Sequence, residues 1–232
     1  MDFAKALTFM FQDPNWVAEL GMGILVTLAG IVFSPVLIGF VAIFVLSGYT
    51  IDVVRNVLDG QEHPLPEWQD WGGFFTRGLK LVVVIIVLAL PFIPLMIPFG
   101  IGSALSNSEN QAVNVIGALF MVFGFGLALL YGLFLALIQP AIYVRLARTD
   151  RFAAALDVGK LWSFTVANIG NVIIAILLTM VTGLIAAILS PLGLLAFIIG
   201  VVVTVLFASF WQMLVQVHLY AQVGALSKTS TE

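Results

Sequence analysis

The sequence predicts an all-α protein, a polytopic transmembrane helical bundle of about five spans with two cytoplasmic amphipathic segments. Three observations predict it. Of 232 residues, 62% are hydrophobic and 9% charged, whereas a soluble domain is roughly a quarter charged. Long stretches carry no Asp, Glu, Lys or Arg, and the basic residues gather in alternate connecting segments. A soluble fold of this length cannot hide so much apolar surface, and acyl chains are the solvent that suits it.

A spanning helix takes roughly 20 mostly apolar residues. Uncharged runs of 32, 28 and 35 residues separate Glu19 from Asp52, Lys80 from Glu109, and Glu109 from Arg145. A run of 67 between Lys160 and Lys228 is too long for one helix, and Ser190-Pro191-Leu192-Gly193 supplies a turn inside it. The spans are therefore expected at about 22–49, 79–101, 112–143, 168–190 and 193–222. The runs are too long, and alternate too little, for barrel strands. Asp2 and Glu19 stand where a leader would carry its basic region, so the first apolar stretch is expected to be a retained anchor.

Five spans put segments 50–78 and 144–167 and the C-terminal tail on one side. That side holds Arg55, Arg77, Lys80, Arg145, Arg148, Arg151, Lys160 and Lys228, and the other holds only Lys5. The basic side, with the C-terminus, is expected in the cytoplasm of a cell membrane and the N-terminus outside. A second arrangement stays open: Gly30, Ser34, Pro35 and Gly39 can break the first span into a hairpin that returns the N-terminus to the cytoplasm.

The chain reads as one domain, 1–232, in which a span, an amphipathic segment and a returning span occur twice, as units 22–101 and 112–190, before a last helix at 193–222. In the first segment, 51–59, Ile51, Val53, Val54, Val57 and Leu58 share one helix side, and Asp52, Arg55, Asn56 and Asp59 the other. In the second, Phe152, Ala155, Leu156, Val158 and Trp162 face away from Asp157 and Lys160, and Thr149 or Asp150 can cap its start. Such segments are either surface helices that dock a partner or headgroups, or extensions of spans packed on the bundle.

Gly124, Ala128, Gly132 and Ala136 place a small residue every fourth position of the third span, a stripe that lets a helix approach closely. Pro91, Pro94 and Pro98 interrupt the end of the second span. The carbonyls they free must find partners in lipid, either along a solute path or at a distorted helix end. His218, near the end of the last span after Gln212 and Gln216, is the one candidate cofactor ligand, for haem or a pigment metal. The other reading is an interfacial, hydrogen-bonded histidine, and no cofactor is expected.

The chain has no cysteine, which excludes disulfides and thiolate chemistry, and its net charge of −3 carries no basic run for nucleic acid. No paired intramembrane carboxylates, metal-spaced histidines, phosphate loop or nucleophile elbow appears, so no enzyme is expected. Asp59, Glu62, Glu67 and Asp70 crowd the first long loop beside His63, either as a weak cation site or as a solvated acidic loop.

Phe11-Gln12-Asp13-Pro14-Asn15-Trp16, and Gly48-Tyr49 with Arg55 leading through Leu58-Asp59-Gly60 to Pro64-Leu65-Pro66-Glu67-Trp68 and Asp70-Trp71, resemble the prokaryotic membrane family catalogued as domain of unknown function 4013. The segment Ala153–Gly159 is similar to a pattern in several multi-helix membrane families, including the membrane domain fused to some glycerophosphodiesterases. The resemblance implies a helical bundle in a bacterial or archaeal membrane and points to the loop, but implies no activity. Pro64 and Pro66 stiffen that loop around Leu65. Trp68 and Trp71 suit the headgroup layer, and Trp16 is expected to serve likewise on the opposite face. Pro64, Leu65, Pro66, Trp68, Trp71, Asp13 and Trp16 are thus candidates either for partner docking or for interfacial anchoring. The expected partners are the lipid bilayer and other membrane subunits. The functions in view are a non-catalytic scaffold or accessory subunit of a larger membrane complex, and a transporter or binding protein for a small neutral or lipid-like solute.

Overall fold

The computed structural model describes residues 1–35 and 38–227, with side chains at all of these except 38 and 195–199; Lys228 lies outside them. Among the described residues there are helices and no strands. Helix α1 (Phe3–Thr8) leads through a 3-10 turn (Phe9–Gln12) to α2 (Trp16–Val32), α3 (Ile38–Leu58) and α4 (Trp71–Ala89). The short α5 (Phe92–Leu95) and α6 (Ile97–Leu105) precede the long α7 (Gln111–Thr149). Then come α8 (Phe152–Ala155), α9 (Val158–Ala167), α10 (Ile169–Leu189), a second 3-10 turn (Ser190–Ala196) and α11 (Phe197–Leu226). Among the described residues five stretches are long and apolar enough to cross a membrane: Gly39–Leu58, Trp71–Leu105, Gln111–Thr149, Ile169–Leu194 and Gly200–Leu226.

The first expected span, 22–49, is corrected. It is two helices, α2 and α3, packed side by side and antiparallel. The 32 uncharged residues would make one helix about 48 Å long, well beyond a hydrocarbon core of about 30 Å. The chain folds back instead. The Gly39 N–H donates to the Phe33 carbonyl at 3.1 Å, and a Cβ on Gly39 would strike the backbone of Ser34. Gly30 faces Ala42 across the same hairpin. The N-terminal segment therefore lies at the end of α3 that leads into the 59–70 loop, and Trp16 is not on the opposite face.

The described residues form two compact units whose limits fall inside α4 and α7. Unit 1 comprises Met1–Val84 and Gln139–Glu232, and unit 2 Ile85–Ile138. Unit 1 is organised round α11, which touches α1, α2, α3, α10 and the second 3-10 turn. Phe210, Leu214, Val217, Leu219, Tyr220 and Val223 are buried around its second half, the pattern of a central helix. The Asp2 N–H donates to Gln222 Oε1 at 2.7 Å, Gln222 Nε2 donates to the Asp2 carbonyl at 2.8 Å, and Trp211 Nε1 reaches the Leu7 carbonyl at 3.3 Å.

Helices α3 and α4 meet through glycines outside the expected stripe. A Cβ on Gly48 would run into the Phe74 backbone, and one on Gly78 into the Phe44 carbonyl. At the same end, Arg77 pairs with Asp52 at 2.6 Å and Asp70 at 2.9 Å, and Arg55 with Asp52 at 3.2 Å. Lys80 pairs with Asp150 at 3.0 Å, and Arg145 Nε donates to the Ala154 carbonyl at 2.9 Å. The 51–59 segment is simply the end of α3, with Ile51, Val53 and Val54 buried. The second segment is not one amphipathic helix. It breaks at Leu156–Asp157, and the Asp157 carboxylate accepts the Lys160 N–H to start α9. Ala155 and Leu161 are buried while Val158 and Trp162 are exposed, so the expected single apolar face is absent. Neither Thr149 nor Asp150 caps α8, whose N-cap is Arg151.

In unit 2 the three prolines divide the chain into the end of α4, α5 and α6. Beside the break, the Leu88 carbonyl accepts the Tyr131 hydroxyl at 2.7 Å, which satisfies it without water. Helix α6 lies close against α7. Gly102 and Gly117 each face the other's backbone, and Gly124 faces that of Phe99. Gly124 is buried, and Ala128, Gly132 and Ala136 are half-buried, Gly132 near the Phe92 ring. Val122, Phe123, Phe125 and Leu130 are largely exposed on α7, a surface for acyl chains.

Two outcomes are expected. Gly48→Ala forces α3 and α4 apart and lowers stability in detergent by roughly 1–3 kcal/mol, whereas Gly126→Ala, with open space around it, changes the melting temperature little. Because the chain has no cysteine, Asn15→Cys and Gln61→Cys report sidedness cleanly. An impermeant maleimide labels both from the same side of the membrane.

Candidate functional site

The hairpin brings together the two stretches that carry the family resemblance. Asp13, Pro14, Asn15 and Glu19 from the start of α2, Asn56 from α3, and Gln61, His63, Leu65, Pro66 and Glu67 from the loop line one open cleft of about 460 Å³.

Each wall is fixed by a specific contact. Asp13 is buried, and its Oδ1 accepts the Asn15 N–H at 2.8 Å, which turns the chain into α2. On the loop, Asn56 Nδ2 donates to the Pro64 carbonyl at 3.0 Å, and the Leu65 side chain is buried. Gly60, at φ 72°, ends α3 where a side chain would be strained. The Trp68 indole N–H donates to the Glu19 carbonyl at 3.0 Å, and its ring stacks on Tyr49 with centroids 4.3 Å apart. One side chain thus ties the loop to both α2 and α3. Asp70 closes the loop: it accepts the Gly73 N–H at 2.9 Å and pairs with Arg77, and that pairing holds its carboxyl below the usual range.

Glu19 is the unusual group. It is 8% exposed, and its Oε2 has no hydrogen-bond partner. It sits in the first turn of α2, ahead of the uncharged stretch. Burial, then the nearby Asp13, then Glu67 push its pKa up to about 7. The Tyr49 hydroxyl, buried beneath Trp68, also has no partner.

Of the docking candidates, Asp13, Leu65 and Pro66 line the cleft, and Pro64 and Trp68 hold it in place. Trp71, 42% exposed, opens instead onto an apolar groove lined by Leu25, Val26, Ala29, Phe33, Val41, Ala42 and Val45. Trp16 packs edge-on against Phe11 beyond the cleft. His218 is elsewhere, buried with its ring stacked on Phe9 at 4.3 Å and its Nδ1 3.2 Å from Gln222 Nε2. The loop histidine, His63, lines the cleft instead. Sequence reading passed over Glu19, Asn15, Asn56 and Gln61. The one signal for Glu19 was a carboxylate bordering an apolar run.

The raised Glu19 value fixes the sign of a stability change. Between the ordinary carboxyl value and about 7 the folded protein holds a proton that the unfolded chain releases, so ionised Glu19 weakens the fold as pH rises through that window. Glu19→Gln is therefore expected to raise the melting temperature at about pH 8 and to change it little at about pH 5, as thermal denaturation in detergent would show.

No curated protein and no solved structure matches the chain. A family profile described as "Protein of unknown function (DUF4013)" matches residues 31–207. The match takes in the loop and Tyr49 but not the segment from Asp13 to Glu19. With the profile covering most of its length, the chain belongs to the DUF4013 family.

Proposed function

We propose that this protein is a non-catalytic docking subunit of a larger membrane complex, anchored in a prokaryotic cell membrane with the cleft end in the cytoplasm. The observation that carries this reading is the assembly of one rigid polar cleft from two separated stretches, pinned by Trp68 to two helices. Rigid loops cost little order on binding and so suit recognition.

The orientation draws support from charge. The N-terminal helix packs on the same end of unit 1 as the ion pairs of Arg55, Arg77 and Lys80, so Lys5 joins the basic residues it was expected to oppose. Basic residues favour the cytoplasmic side.

A second reading, binding of a lipid-like molecule, draws on the apolar groove of about 360 Å³ between α2 and α3 beside Trp71. Gentle extraction followed by native mass spectrometry separates the two readings. A stoichiometric protein partner supports docking, whereas a bound lipid on a lone chain supports the second. Trp68→Ala combined with Trp71→Ala is expected to leave the protein inserted but to release the partner. Unchanged co-purification would count against docking at this loop.

A further inference from the structure

Three carboxylates border the cleft, Asp13, Glu19 and Glu67, and no lysine or arginine lines it. None of the three belongs to an ion pair among the described residues, whereas Asp52, Asp70, Asp150 and Asp157 do. Glu19 is more than nine-tenths buried, lines the cleft and leaves Oε2 without a partner. A buried acceptor without a donor is costly unless something supplies one.

The shape of the charge narrows the donor. Among the described residues no group of three His, Cys, Asp or Glu has the spacing to hold a metal ion. The amides of Asn15, Asn56 and Gln61 line the cleft together with the carboxylates. Such a lining suits a group with several N–H donors and a positive charge. The cleft is also far larger than one ion, within the roughly 300–1,000 Å³ range of organic ligands.

We propose that the cleft is a binding site for a primary ammonium or guanidinium group, with Glu19 as its buried counter-ion and Asp13 and Glu67 as the flanking charges. This deepens the docking reading by naming what the partner presents, a lysine or arginine side chain; a free small amine offers the same chemistry.

A bound cation stabilises ionised Glu19, so binding releases a proton from it at neutral pH and strengthens as pH rises from about 6 to about 8. The titratable and charged groups facing Glu19 are Asp13 from the turn before α2, Glu67 and His63 from the loop, and Tyr49 from α3. His63 is therefore replaced by Gln in a control.

The test titrates the purified full-length protein, in nanodiscs, with n-butylammonium and with an acetylated, amidated Gly-Lys-Gly tripeptide. Saturable one-to-one binding is expected, weakened about tenfold or more by Glu19→Gln, with the pH dependence lost in Glu19→Gln and kept in His63→Gln. Glu67→Gln, at an exposed position, is expected to weaken binding by a smaller factor. Tighter binding of the tripeptide assigns the site to a protein side chain, and equal or tighter binding of butylammonium to a free amine; either supports the proposal. No saturable binding of either probe, or equal binding by a monodisperse Glu19→Gln protein, overturns it. The two readings fail separately. A partner released by the tryptophan pair but retained by Glu19→Gln leaves docking standing without the cation, and cation binding by a protein that captures no partner leaves the reverse.

Discussion

The arrangement depends on one reversal of the chain, which folds an uncharged run of 32 residues into two helices lying against each other. The reversal between α2 and α3, closed by the Gly39 N–H on the Phe33 carbonyl, sets where the N-terminal segment lies. It also sets which residues meet at the end of α3. Without it Asp13 and Glu67 would lie a membrane's thickness apart. Lipid offers the hairpin's backbone no partners, so the turn has to bond its own groups, as the Gly39 N–H and the Phe33 carbonyl do.

The rest of unit 1 answers the same demand at other places. The second half of α11 is buried from Phe210 to Val223, so the helices around it share one core. Where α3 and α4 cross, Gly48 and Gly78 remove the side chains that would hold the backbones apart. At one end Arg77 and Lys80 pair with Asp52 and Asp150, and Arg55 reaches a carbonyl in the last turn of α7. Unit 2 is more weakly buried and has a different solution: three proline breaks, a tyrosine satisfying a freed carbonyl, and glycines letting α6 lie on α7.

Much of this was legible in the residues. Charge-free length located four of the five spanning stretches, because the insertion cost of a charge is large and local. The loop stood out through Pro64, Pro66, Trp68 and Trp71, whose shapes restrict the chain or its solvent. The hairpin was one of two open arrangements, since a glycine and a proline permit a turn without requiring it. The close helix crossing at Gly48 and Gly78 was missed because those glycines are not at regular spacing on one helix; each matters only opposite the other helix. Glu19 was passed over for the same reason. The loop beside it bonds it through Trp68, 49 residues further along the chain, and no local pattern records that.

The clasp between the first and last helices carries a consequence for biogenesis. The Leu7 carbonyl and the Trp211 indole are 204 residues apart, so a ribosome delivers one long before the other. Until α11 has entered the membrane, α1 has no groove to rest in and the 13–19 wall is held from one side only. Assembly of the recognition surface is therefore a late event of synthesis, and a chain halted before its last helix would be inserted yet unable to present it.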